Sequence, residues 1–321
     1  MDISYTQPLW RAWDRAKGML FRPFRIETWL VLGASAFLTQ MLGHSGMLMN
    51  WNGSMGDSHH RSLDANTEAA LDRVRETLLR WLANPAVLAA IAAILIVFAV
   101  AALVLAWVAA RAEFVFLDGV AVRRARFLDP WRRSGKLGRS LFLWRAAFSF
   151  AWLLPILCVA VPFSSTVVGM IRGDAFAWPP LGGMIVGCGL ATVSALAIGW
   201  VNLLMDSFVV PLMYRHDEHA SQAWMRFLPL LGAHAGEFVA FTVFTVVLAI
   251  GVGVALTIAG VGTCCVGLVL MIIPYVGSVV LLPVTVTARA LGPLFLAQFG
   301  PEWAVFPPEP VDDEETPATP V

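Results

Sequence analysis

Long apolar runs alternate along this chain with short segments in which aromatic and basic residues mix. The runs reach the roughly 20 residues that a helix needs to cross a bilayer. They lack the two-residue alternation of a barrel strand, and in lipid only helices and closed barrels satisfy every backbone group. The pattern predicts an all-α fold, a polytopic membrane helix bundle of about six transmembrane helices. Spans are expected at about 26–43, 85–110, 146–163, 182–213, 237–260 and 264–298. The last run exceeds one straight span and is interrupted by Pro274, Gly277, Pro283 and Pro293. One long broken helix, or a re-entrant element followed by a helix, would fit it.

Between the spans the pattern changes character. Over 8–25, Leu9, Trp13, Ala16, Leu20 and Phe24 recur at helical spacing, with Arg11, Arg15, Lys17 and Arg22 among them. That is the pattern of a helix lying in the membrane interface. Ala34-Ser35-Ala36 could mimic a signal-peptidase site, but the arm before it is too long and too structured for a signal peptide. Residues 44–84 form a polar insert, and 111–145 a basic segment with nine of the 22 Lys and Arg. Residues 214–236 read as a second interfacial segment. Residues 1–299 are expected to form a single transmembrane domain, followed by a disordered, acidic and Pro-rich tail over 300–321.

Basic residues in short loops set orientation. The N-terminal arm and 111–145 are rich in them, whereas the 164–181 loop has only Arg172. Both termini, 111–145 and 214–236 are therefore expected on the cytoplasmic side of a bacterial inner membrane, and 44–84 outside.

Two stretches match without a gap. Trp107, Glu113 and Trp131 each lie 93 positions before Trp200, Asp206 and Trp224, and Phe-Val follows each acid (Phe114-Val115, Phe208-Val209). Trp and Phe are abundant (13 and 20), so single matches mean little, but three anchors at one offset mean more. The unit reads as an interfacial Trp-bearing helix, a span, an outer loop and a second span ending in a charge. Three such helix pairs would cover about 8–118, 125–212 and 218–299. In the third, aligning Pro293-Leu294 with Pro211-Leu212 brings Arg289 within one residue of the acidic position.

Composition sharpens the class. The chain is 58% hydrophobic and 14% charged, with mean hydropathy +0.73, against about 45–50% and about 25% in a soluble domain. Its net charge of zero gives no pull toward nucleic acid. Cys158, Cys188, Cys264 and Cys265 lie in or beside apolar runs, without metal-ligand or disulfide spacing.

Glu113, Asp206 and Arg289 are the intramembrane candidates, because a charge in a span usually has a partner or a job. They would serve as an ion or proton relay, as a buried structural pair, or as helix-end charges reaching the interface. Arg123, Arg124, Arg126, Arg132, Arg133, Lys136 and Arg139 are candidate contacts for anionic phospholipids, worth about 1 kcal/mol per basic residue near a charged leaflet. Asp57-Ser58-His59-His60 with His44, and His216 and His219 with Asp217 and Glu218, contain metal-ligand residue types. No spacing fixes them on one face, and solvated loops explain them. Gly183 and Gly187 permit close helix approach. No hydrolase, metalloprotease, phosphate-loop or dinucleotide motif occurs, and no cofactor is expected.

Trp10-Arg11-Ala12-Trp13, Phe21-Arg22-Pro23-Phe24, the apolar run to Asp118 and Phe127-Leu128-Asp129-Pro130-Trp131 carry a resemblance. The pattern resembles bacterial six-span membrane proteins. These include the membrane domain that precedes some glycerophosphodiester phosphodiesterases and stand-alone uncharacterised relatives. The resemblance implies a fold and a location, with no catalytic residue to carry over. Three readings of function follow. The first is a non-enzymatic scaffold that organises helices, lipid, a protein partner or a second copy. The others are a small-solute or ion transporter or channel using the intramembrane charges, and a lipid-modifying enzyme.

Overall fold

A computed structural model describes residues 3–22, 24–42, 84–122, 128–172, 181–263 and 273–306. These residues form helices and turns, with no strand among them. In chain order the helices are α1 (Thr6–Phe21), α2 (Ile26–Leu42), α3 (Pro85–Val122), α4 (Leu128–Arg133), α5 (Gly135–Ser149) and α6 (Leu153–Arg172). They continue as α7 (Leu181–Leu204), α8 (Val210–His216), α9 (Ala220–Ala233), α10 (Ala235–Gly262), α11 (Pro274–Val280) and α12 (Leu282–Leu296). A π turn, Met205–Val209, joins α7 to α8 without a break.

Five stretches are long and apolar enough to cross a membrane: Pro85–Val122, Gly135–Ser164, Leu181–His216, Ala235–Gly262 and Leu282–Phe299. The expected span at 26–43 is a helix whose apolar part, Ile26–Thr39, is shorter. The molecule is an all-α polytopic bundle, and these helices fit a multi-pass membrane protein. Pro85–Val104 is exposed almost throughout, an apolar surface that only lipid or another helix can cover.

Helix ends follow local chemistry. Asn84 Oδ1 accepts the Ala86 N–H at 3.0 Å while Pro85 opens α3, a capping residue followed by a pre-set φ. Asp217 ends α8 in the left-handed region (φ 53°), which Asp tolerates better than most residues. At the far end of α3, Arg15 donates to the carbonyls of Val120 (3.0 Å) and Ala121 (2.6 Å). Those last-turn carbonyls have no helical partner of their own.

Several expected boundaries move. The basic segment 111–145 is not one connector: 111–122 continues α3, and 128–145 lies in α4 and α5. Helix continuity persists because nothing in Arg111–Val122 breaks it. The interfacial helix expected over 8–25 runs from Thr6 to Phe21. The run 264–298 is helical from Pro274, broken at Leu281 just before Pro283, and its first residues lie outside the described ones. The tail does not loosen at Gly300. Pro301–Trp303 forms a short turn, and Val305 and Phe306 are buried beside Ala12, Ala16 and Val120. Residues 307–321, and the 44–83 part of the polar insert, lie outside the described residues.

The core sits at one end of the bundle, where both described termini meet. Ser4 and Gln298 bond reciprocally, N–H to Oε1 at 3.0 Å and Nε2 to carbonyl at 2.9 Å. One half of the core is a box of rings: Phe208 lies 5.0 Å from Phe238 and from Phe241, and 5.5 Å from Phe227. The other half packs α1 against α2, the end of α3 and α12. Gly292 on α12 rests on the π turn, where a Cβ would run into the Ser207 carbonyl, its carbon 2.9 Å away. Gly187 likewise abuts the Cys158 carbonyl on α6. Gly292→Ala should therefore part α12 from the π turn, with a loss of about 1–3 kcal/mol. Thermal unfolding in mild detergent checks it, and an unmoved midpoint would mean the contact is not tight.

Candidate charge centre

Pro211 shapes the site. In the π turn the Val210 N–H bonds the Met205 carbonyl, five residues back. The next step would aim residue 211 at the Asp206 carbonyl, but proline has no N–H. Arg289 Nη1 takes up that carbonyl instead, at 3.3 Å. The turn also presents the Asp206 carboxylate to the bundle interior.

Four charges from four elements meet there. Glu113 on α3 is fully buried, and Arg289 Nη2 on α12 reaches its Oε1 at 2.5 Å. Arg145 on α5 lies between the acids, Nη1 at 2.6 Å from Glu113 Oε2 and Nη2 at 2.5 Å from Asp206 Oδ1. The Nη1 approach is an ion pair rather than an aligned hydrogen bond. Side-chain exposure is 0% for Glu113, 10% for Arg289, 11% for Arg145 and 14% for Asp206. Two carboxylates and two guanidinia thus neutralise each other where a lone charge would be strongly disfavoured.

The structure brings Glu113, Asp206 and Arg289 together. It joins Arg289 to the Glu113 carboxylate and to the Asp206 backbone. Sequence reasoning missed Arg145 by grouping it with the basic segment. The available signal was its place at the lip of the apolar run from 146, separated from Arg139 by Leu141-Phe142-Leu143-Trp144.

Aromatic contacts hold the surroundings. Trp144 stacks on Trp224 at 5.8 Å, and Trp224 Nε1 donates to Met205 Sδ at 3.1 Å, fixing α5 and α9 against the π turn. Tyr214 donates to Asp118 Oδ1 at 2.6 Å, tying α8 to α3. Trp200 Nε1 reaches Thr242 Oγ1 at 3.0 Å, tying α7 to α10.

The other candidates lie elsewhere. Arg132, Arg133, Lys136 and Arg139 are exposed on α4 and α5. Arg123, Arg124 and Arg126 lie outside the described residues, as do His44, Asp57 to His60, Cys264 and Cys265. His216 Nδ1 turns to the Leu212 carbonyl at 3.3 Å. Glu218 takes both of its bonds from Arg226, and that guanidinium holds its carboxyl below the usual range.

Residues 5–305 match the family of unknown function DUF7544, and the chain belongs to it. No curated protein and no solved structure matches the chain.

The two acids should not be equivalent. Glu113→Gln removes the carboxylate charge shared by two guanidinia, leaving Asp206 as their one acidic partner, and is expected to cost about 3–5 kcal/mol. Asp206→Asn leaves a polar partner for one, at about 1–3 kcal/mol. Thermal unfolding of the two variants in the same detergent checks the order, and a larger loss from Asp206→Asn would reverse it.

Proposed function

We propose that this member of an uncharacterised family is a non-enzymatic membrane scaffold that gathers lipid at one face. The observation carrying this reading is the closure of the charge quartet. Glu113, Arg145, Asp206 and Arg289 neutralise one another and tie four chain segments together. Charges so paired hold helices in place. The working surface would be a basic and aromatic collar at the same end. It comprises Arg132, Arg133, Lys136 and Arg139, with Trp10, Trp13, Phe21 and Phe24 exposed on and beside α1. Cations of this kind attract anionic headgroups, and exposed aromatic rings favour the interface. The collar would face the cytoplasm of a bacterial inner membrane, with both termini on that side.

We also read the chain as three repeated helix pairs. Phe-Val follows Glu113 directly but follows Asp206 after one extra residue. A π turn is a helical turn widened by one residue, and Met205–Val209 stands at that place. Trp131 packs on Arg111 and Trp224 on Met205, within one residue of matching stations of the two stretches. The likeness to the phosphodiesterase-linked membrane domains rests on topology and aromatic placement, and no comparison ties the chain to them.

A transporter or channel reading has one observation in its favour. Asp206 stands on a π turn, a feature frequent at functional sites, and is the most exposed member of the quartet at 14%.

Lipid retention separates the readings. The protein would be reconstituted with equal phosphatidylglycerol and phosphatidylcholine, extracted in mild detergent, and its retained lipids measured. The scaffold reading expects phosphatidylglycerol to be enriched severalfold, and the bulk ratio to return when Arg132, Arg133, Lys136 and Arg139 are all changed to Gln. Equal ratios in both proteins would contradict it. Dissipation of a proton gradient by wild-type vesicles and not by Asp206→Asn would favour the transporter.

A further inference from the structure

Among the described side chains, Arg15 is buried and Arg111, Arg145 and Arg289 are partly buried, while the other arginines are exposed. Arg15 holds two carbonyls, while Arg145 and Arg289 hold carboxylates. Arg111 alone of these has no oxygen partner among the described residues; its Nε is buried and unpaired, as is that of Arg289, whose Nη atoms are both bonded. We infer that Arg111 is a binding site for the phosphate group of a membrane phospholipid.

The cradle around it is built. Trp107 and Arg111 stand four residues apart on one face of α3. The guanidinium carbon lies 4.8 Å from the Trp107 ring and 5.1 Å from the Trp131 ring of α4. Two glycines of α5 complete the cradle. A Cβ at Gly135 would stand 2.6 Å from Arg111 Nη2, and one at Gly138 would stand 2.5 Å from Arg111 Cγ. Any larger residue at either position would displace the arginine. Indole faces attract a cation and shield it from water, but they accept none of its in-plane N–H bonds. A planar guanidinium stacked in this way still offers edge donors, in the geometry that suits phosphate oxygens.

Position selects the ligand. Arg111 follows the exposed apolar stretch Pro85–Val104, at the point where α3 enters the packed core. Trp107, 37% exposed, stands at that boundary, as tryptophans do where hydrocarbon meets headgroups. The acceptor concentrated at that depth is lipid phosphate. The site rests on Arg111 and its cradle, independently of the exposed collar cations, so it stands or falls apart from the scaffold reading.

Native mass spectrometry of the full chain in mild detergent tests this, with dioleoylphosphatidylglycerol, dioleoylphosphatidylcholine and dioleoylglycerol as probes. One phosphate-bearing lipid is expected to stay bound where dioleoylglycerol, with the same tails, does not. Arg111→Gln should weaken that lipid by at least about tenfold, Arg111→Lys should weaken it less, and the collar fourfold variant should keep it. The wild-type melting midpoint supplies a readout that needs no variant to fold: phospholipid should raise it and dioleoylglycerol should not. Equal retention by wild type and Arg111→Gln would overturn the site, as would equal wild-type stabilisation by dioleoylglycerol. A rise with millimolar inorganic phosphate and none with phospholipid would overturn the lipid as the carrier.

Discussion

A carboxylate removed from water must be met by cations or it will not stay charged, and Glu113 meets two. Much of the architecture at this end of the bundle can be traced to that requirement. Arg289 reaches Glu113 only because α12 lies close on the π turn, and α12 lies close because position 292 is glycine. Arg289 also needs an acceptor for its other arm, and the Asp206 carbonyl is open because position 211 is proline. Arg145 then links the two acids and draws α5 inward, where Trp144 and Trp224 stack beside it. A proline and a glycine that carry no charge thus decide how four charges assemble.

Much of this was legible in the sequence, and the reasons differ by feature. The apolar runs fixed the fold class because a helix in lipid has few alternatives. The single 93-residue offset that Glu113 and Asp206 share with their flanking tryptophans marks two members of the centre in the sequence itself. Arg145 escaped because charge counting treats every arginine near a loop as part of a surface. Whether an arginine faces water or a carboxylate depends on the helix face it occupies, which counting charges along a segment does not register. The ordered end at Val305 and Phe306 escaped for a related reason. A Pro-rich acidic tail reads as disordered on average, yet two apolar residues found a groove beside Arg15, whose guanidinium lies 4.2 Å from the Phe306 ring.

The buried and partly buried arginines give the protein a simple division of labour. One caps a helix end, two close the charge centre, and one is held between indoles with its edge donors unused by the described chain. The first three are held by carbonyls or carboxylates inside the protein and contribute rigidity. The fourth points the same chemistry outward, to where the membrane supplies the acceptor. A rigid charged core with basic and aromatic residues around it suits a protein that positions lipid more than one that passes a solute through its middle.

The most direct measurement is a double-mutant cycle on Glu113 and Arg289, read as thermal stability in mild detergent. If these charges hold the bundle together, Glu113→Gln and Arg289→Gln will each destabilise it strongly. The pair will then lose less than the sum by at least about 1 kcal/mol. Losses that add to within about 0.5 kcal/mol would mean that the two side chains do not depend on each other, and the account of the centre as a mutual lock would fail.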